Sequence, residues 1–367
     1  MAIAGIELFA IIGFLLAAYS AVANDAIQTL GTFLSSNSKR PWWVLWLFAG
    51  SIVVLVMLKG YFLESGDIAF DRLDTIPFPA DGVKWWHVVP PLFLLFLTRY
   101  GIPVSTTFLI LTIFTLTMDD QKTHVFSKML TKSALGYVVA FVAAGVLYTL
   151  ISRAWERWIS STKDQTLGRH WIAAQWGSTA FLWWQWLEQD LANLFVFLPR
   201  TNTDVQKTDP VTGELMFEKD AAGNLTNVPE METFVTFSPA MLILGTVAIV
   251  VLLGIIFYLR GGSIQKIVLS KTNTTDIRSA TIVNVTFGVI LWIFKEQSNI
   301  PMSTTWVFLG LIAGREIAIS YVTDLRTRKE ALRDVGMDSA RALLGLVVSV
   351  VLAVAIPWAA TGNMPTF

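Results

Sequence analysis

The sequence predicts an all-α polytopic membrane protein built from two inverted-topology repeats, each with a broken helix and a re-entrant helical hairpin. Three observations predict it. Hydrophobic residues make up 54% of the chain and charged residues only 15%, a balance that leaves too little polar surface to cover a soluble body. The stretch Pro103-Val104-Ser105-Thr106-Thr107 recurs as Pro301-Met302-Ser303-Thr304-Thr305, each copy after an isoleucine and each inside apolar sequence. Three crossings and one hairpin in each half make an odd number, so the second half, residues 166–367, must run upside down relative to the first, residues 1–165.

Taken in order, the apolar run from Ile3 to Val22 carries Glu7 and no basic leader, so it is expected to be a first membrane helix and not a cleaved signal. It runs into Ala23-Asn24-Asp25-Ala26-Ile27-Gln28, where a carboxylate and amides interrupt apolar sequence; a charge at membrane depth is a functional feature by default. Lys39-Arg40 then marks the cytoplasmic side, and the loop after the span Trp42 to Phe62, acidic with Glu64, Asp67, Asp71, Asp74 and Asp81, the external side. Both termini are thereby expected outside an inner, multi-pass cell membrane. Trp85 to Tyr100 and Ser105 to Met118 are arms of about 15 residues, about 22 Å of helix and short of a comfortable crossing, which predicts a re-entrant hairpin. Leu130 to Ile151 crosses inward to a basic segment. Trp171 to Leu198, with Gln189-Asp190-Leu191-Ala192-Asn193 inside it, opens the second half. The hydrophilic insert Thr201 to Thr236 has turn signals at Asp209-Pro210 and Gly223-Asn224 and is expected to be an external β-hairpin. Met241 to Leu259 returns inward, Val283 to Phe294 and Thr305 to Val322 flank the second motif, Arg326 to Arg341 is a charged helix inside, and Leu343 to Ala359 is the last span.

A proline lacks an N–H and disfavours a helical residue before it, so each Pro-x-Ser-Thr-Thr ends one helix and starts another. An interrupted backbone at membrane depth is tolerated only inside protein or around a cavity, and a helix start with free N–H groups attracts anions. The two stretches therefore mark a candidate polar site at the midplane, where inverted repeats place a substrate and its coupling ions. The alternative role of such hydroxyls is to bond back to a carbonyl one turn earlier. With no cysteine there is no disulfide framework, thiolate metal site or cysteine nucleophile. The net charge of zero and dispersed basic residues point away from nucleic acid. His87, His124 and His170 are scattered without metal-ligand spacing, and no nucleophile stands beside a base, so an enzyme is not expected.

These residues resemble the PiT family of cation-coupled inorganic phosphate transporters, whose signature Gly-Ala-Asn-Asp-Val-Ala-Asn-Ala-x-Gly occurs twice, as does Pro-Val-Ser-Thr-Thr-His. Ala23-Asn24-Asp25 and Gly31-Thr32 match the first signature, and Asp190, Ala192 and Asn193 the second. The departures are Gln28 and Gln189 for asparagines, Leu187-Glu188 where small residues are expected, Val196-Phe197 for Gly-Pro, and Phe108 and Trp306 for the histidines. The resemblance implies that Asn24, Asp25 and Gln28, with Gln189, Asp190 and Asn193, ligate cations; Asp25 and Asp190 would hold sodium if sodium is the coupling ion. It implies that Ser105, Thr106, Thr107, Ser303, Thr304 and Thr305 hold phosphate or a similar oxyanion such as sulfate. It further implies symport with sodium ions or protons, no other cofactor, residence in the lipid bilayer and a homodimer. An anion-selective channel on the same repeat is the competing function.

Overall fold

The computed structural model describes residues 2–3, 6–76, 78–99, 104–116, 123–162, 165, 167–209, 212, 214–219, 225–259, 276–323 and 327–362. Among these, the helices in chain order are α1 (Leu8–Ser36), α2 (Trp42–Leu63), α3 (Val89–Arg99), α4 (Thr106–Leu116), α5 (Thr123–Ser161), α6 (Arg169–Asp190), α7 (Ala192–Phe195), α8 (Pro239–Tyr258), α9 (Ile277–Gln297), α10 (Thr304–Val322) and α11 (Arg328–Thr361). Seven of them, α1, α2, α5, α8, α9, α10 and α11, are long and apolar enough to cross a bilayer, and the protein is an integral membrane protein. Helix α6 falls outside that set because Gln175, Gln185, Glu188, Gln189 and Asp190 lower its hydropathy. All five are buried, so its polarity faces protein.

The break expected in the first half at Asn24-Asp25 does not occur: α1 is continuous over 29 residues. No proline or glycine interrupts that point, and the polar side chains bond outward, Asn24 Nδ2 donating to the Val104 carbonyl at 2.9 Å, so the helical ladder is left intact. In the second half the backbone likewise stays helical at Leu191, between α6 and α7, with φ −56° and ψ −33°, and the Leu191 and Phe195 N–H groups keep their one-turn bonds. The helix breaks before the two hydroxyl motifs are present, with α4 opening at Thr106 and α10 at Thr304; Pro103 itself lies outside the described residues. Three elements exceed their expected length. Helix α5 spans 39 residues, about 58 Å, and α11 joins the charged segment to the last span in 34 residues. Helix α9, at 21 residues, is likewise longer than the expected arm. The insert is a two-tier hairpin. Strands β3 (Thr201–Gln206) and β6 (Met231–Thr236) pair antiparallel at its base, and β4 (Phe217–Lys219) pairs with β5 (Leu225–Pro229) at its tip. A short antiparallel pair, β1 (Ala2–Ile3) and β2 (Ile6–Glu7), precedes α1.

Packing runs both across and within the two halves. Helix α10 lies parallel to α5: Ser303 meets Ser133, Gly310 meets Tyr137, Gly314 meets Phe141 and Val322 meets Arg153. Helix α4 packs against α11, where Gly345 faces Val104. Helix α9 runs parallel to α6 through Asn284 to Thr179 and Gly288 to Leu182, while α2 and α8 are antiparallel through Trp46 and Gly254. Leu47, Leu150, Ile243 and Val351 stay exposed on the outer helices.

Candidate functional site

The twelve residues singled out above are all buried and eleven of them converge, whereas Gln189 turns to α9, its Nε2 donating to the Leu291 carbonyl at 3.3 Å. The Asp25 carboxylate accepts hydrogen bonds at Oδ1 from Asn24 Nδ2 at 2.8 Å, Gln28 Nε2 at 3.4 Å and Thr305 Oγ1 at 3.3 Å. The Asp190 carboxylate accepts at Oδ1 from Asn193 Nδ2 at 2.7 Å and Thr107 Oγ1 at 3.1 Å. Each aspartate is thus held by a threonine from the hairpin of the opposite half. Thr106 is a further neighbour of Asp25 and Thr304 of Asp190, so each carboxylate has a threonine from both hairpins beside it, and the two carboxylates feel each other's charge. The same crossing links the breaks themselves. Thr107 Oγ1 lies 3.2 Å from the Met302 carbonyl, and Thr305 Oγ1 lies 3.4 Å from the Val104 carbonyl.

The serines explain how the helices start. Ser105 Oγ accepts the Phe108 N–H at 3.1 Å and Ser303 Oγ accepts the Trp306 N–H at 3.2 Å, each one turn into its helix, which is N-cap geometry. A capping oxygen still has its own hydroxyl proton to donate, and the first turn has further N–H groups with no partner in the helix. The residues that follow the motifs meet too: the rings of Phe108 and Trp306 lie 5.4 Å apart, so an aromatic pair joins the two helix starts.

Six side-chain oxygens of the site are buried with no partner at hydrogen-bond geometry: Asn24 Oδ1, Asp25 Oδ2, Thr106 Oγ1, Gln189 Oε1, Asp190 Oδ2 and Asn193 Oδ1, the Thr106 hydroxyl standing beside Asp25 and that of Thr304 beside Asp190. A buried acceptor without a donor costs free energy, on the order of 1–3 kcal/mol and more if charged. A cluster of them is nevertheless what a hard cation requires, since such ions take carboxylate, amide and carbonyl oxygens. The donor set therefore fits sodium. Gln28 differs, because it approaches Asp25 through its amide nitrogen.

Beside the second half of the site lies an ion-pair cluster to which sequence reasoning assigns no role, although Lys295 and Glu296 stand out there as charges close to the second break. Glu188, with a fully buried side chain, accepts from Lys59 Nζ at 2.7 Å, from Lys295 Nζ, and from Trp184 Nε1 at 2.8 Å. Each lysine has a second carboxylate, Glu64 at 3.3 Å from Lys59 Nζ and Glu296 at 3.4 Å from Lys295 Nζ, so an alternating chain of carboxylates and ammoniums ends two residues from Asp190. Arg72, which the sequence assigns to an external loop, is 2% exposed and lies within electrostatic reach of both Glu188 and Asp190. The signal that could have found the triad was Glu188 itself, a charge inside an otherwise uncharged stretch from Trp171 to Gln189. Its partners come from sequence positions more than a hundred residues away.

No family model and no curated protein matches the sequence. Among solved structures the chain is similar to one described as "The sodium-dependent phosphate transporter", with 14% identity, a TM-score of 0.59, and coverage of 97% of this chain and 98% of the other. Over nearly its whole length, the chain has the fold of a sodium-dependent phosphate transporter.

Proposed function

We propose that this protein is a secondary active transporter that moves inorganic phosphate across the membrane together with cations, sodium being the first ion to test. The observation that carries the reading is the crossing of the two hairpin starts at two aspartates whose outer oxygens have no partner at hydrogen-bond geometry. Asn24 and Asp25, aided by Gln28, form one cation site; Gln189, Asp190 and Asn193 form the other. The hydroxyls of Ser105, Thr106, Thr107, Ser303, Thr304 and Thr305, with the N–H groups of both helix starts, receive the oxyanion between them. Residues 1–165 and 166–367 act as inverted repeats. Reciprocal packing of α4 on α11 and of α10 on α5, and of α1 with α8 and α6 with α2, supports this division. Lipid covers the exposed apolar faces, and the homodimer stands as a further expectation.

The chemistry follows from charge. Two carboxylates and an oxyanion in one buried site repel, and two helix N-termini supply only about half a positive charge each. Cations bound at the aspartates offset the remainder, so the anion binds well only when they are present and the gradient of one solute can drive the other. The test is uptake of labelled phosphate and of labelled sulfate into proteoliposomes, with and without imposed sodium and proton gradients, for the wild type and for Asp25→Asn and Asp190→Asn. Phosphate uptake that follows a cation gradient and is lost in both variants is the expected result. Sulfate uptake alone would reassign the substrate, and phosphate flux indifferent to any cation gradient would replace the transporter with an anion channel.

A further inference from the structure

The break before the second hydroxyl motif is held from outside itself. Helix α9 ends at Gln297 and α10 begins at Thr304, so the carbonyls at the end of α9 and in the connecting residues have no partner in either helix. The connecting residues are only partly covered, Ser298 and Ile300 half-buried and Asn299 exposed, so these carbonyls can be met by water or by side chains. Lys132 of α5 meets two of them, its ammonium donating to the Ser298 carbonyl at 2.7 Å and the Ile300 carbonyl at 2.8 Å. The next residue, Ser133, accepts the Ser303 N–H at 2.8 Å. Arg72 adds a second cation from the loop between α2 and α3: Nη1 donates to the same Ser298 carbonyl, and Nη2 to the Lys295 carbonyl at 3.3 Å.

Two cations on one carbonyl oxygen repel each other, and among the described residues neither Arg72 nor Lys132 has a carboxylate within 4.0 Å. Neutral donors would have satisfied the carbonyls without that repulsion. The C-terminal end of α9 offsets part of it, since the end of a helix carries about half a negative charge. What the two side chains add is a hold on the residues just before Ser303, Thr304 and Thr305. Arg72 also ties the break to a loop that packs on the insert, where the Phe237 N–H donates to the Gly66 carbonyl at 3.0 Å.

We propose that Lys132 and Arg72 are positioning residues for the second oxyanion-binding helix start, clamping residues 298–303 so that Ser303, Thr304 and Thr305 face the anion. The proposal rests on the transporter reading for its effect on uptake, and on geometry alone for the clamp. The first experiment compares phosphate uptake by Lys132→Met, Lys132→Arg, Arg72→Met and Arg72→Lys. Both Met variants should raise the half-saturating phosphate concentration by about tenfold or more, while the maximal rate changes less and Lys132→Arg and Arg72→Lys stay near wild type, because a hydrogen bond from a charged donor is worth about that factor. The second needs no transport. The chain has no native cysteine, so Ile300→Cys can be labelled in detergent with a thiol reagent, and adding Lys132→Met or Arg72→Met should accelerate labelling about tenfold while the protein stays monodisperse. Unchanged labelling in both Met variants would overturn the clamp. Faster labelling in a protein that takes up no phosphate would leave the clamp standing and remove the proposed substrate. A half-saturating concentration unmoved in both Met variants, in a wild type that does transport, would remove the positioning role.

Discussion

Replacing Glu188 by glutamine would remove the fully buried carboxylate that the ammoniums of Lys59 and Lys295 share and leave each only its longer contact at a more exposed partner, Glu64 at 3.3 Å and Glu296 at 3.4 Å. Removing one partner of a buried ion pair strands the other, at a cost of roughly 3–5 kcal/mol. Lys59 is 27% and Lys295 18% exposed, so water recovers part of this, and about 2–3 kcal/mol is the expected loss. Thermal unfolding in detergent should show Glu188→Gln well below wild type, and Glu188→Gln with Lys295→Met partly restored, since the second change removes a charge that has lost its buried partner. A double variant no better than the single would mean that Glu188 acts through packing. The same residue marks the limit of what the sequence discloses at this scale. Asp25, Asp190 and the hydroxyl motifs were legible because they recur and because charge in apolar sequence is conspicuous. Arg72, Lys59 and Lys132 were not, because a lone cation in a loop or near a helix end reads as a surface charge until the fold brings a distant partner to it.

Helices α5 and α10 touch so closely that glycine is required. A Cβ on Gly310 would run into the Tyr137 carbonyl, and one on Gly314 into the Phe141 carbonyl. Both obstacles are backbone, which cannot swing aside, so Gly314→Ala should cost about 1–3 kcal/mol of stability despite alanine's better helix propensity. Gly336→Ala on α11, where nothing lies within 4 Å, is the control and should be neutral or stabilising by up to about 1 kcal/mol. Equal thermal midpoints for the two variants would contradict the close packing. The pair is a Gly-x-x-x-Gly pattern in the sequence, a signal for helix contact in membranes that was there to be read. The unbroken course of α1 was not legible, because it depends on Asn24 finding the Val104 carbonyl. The acidic loop between α2 and α3 responds to pH. Burial raises Asp67 from 3.8 to about 7 and Asp74 to about 8, with neighbouring carboxylates reinforcing the shift in Asp74, and Asp71 is raised as well. The folded loop therefore keeps protons that the unfolded chain releases, so the stability it contributes falls as pH rises from about 4 to about 8. Thermal midpoints should be higher at pH 5 than at pH 8, and Asp67→Asn with Asp74→Asn should flatten that slope.

For the whole molecule, the contacts at the site fix a common depth for Asp25, Val104, Thr107, Ser133, Asp190, Ser303 and Gly345. Helix α1 starts at Leu8, about 25 Å to one side of that level, and α11 starts at Arg328, about 25 Å to the other. The first side gathers Glu7, which lies against Gly82, and the insert, which bonds to Gly66. The opposite side gathers the end of α10 against Arg153 and the start of α11. We propose an orientation from charge. Asp67, Asp71, Asp74 and Asp81 lie on the first side, and Arg153, Arg157, Lys329 and Arg333 on the second, which the positive-inside rule assigns to the cytoplasm. The sequence scheme sets the loop 119–132 outside although it holds Lys122, Lys128 and Lys132, against that rule; Lys122 lies outside the described residues, Lys128 is exposed, and the misfit of Lys132 is the part the structure resolves. That misfit is removed by the contact of the Lys132 ammonium with the Ser298 and Ile300 carbonyls, which makes it an internal group and not a surface charge. Cysteines placed singly at Val228, on the insert, and at Arg333, on α11, test the orientation in intact cells. An impermeant thiol reagent should modify Val228→Cys directly and Arg333→Cys only after permeabilisation. Labelling of Arg333→Cys with Val228→Cys protected would turn the molecule over. Helix packing and the site would be unchanged, but Arg72 and its clamp would then face the cytoplasm, and phosphate approaching from outside would meet the first hydroxyl motif from the side of α11.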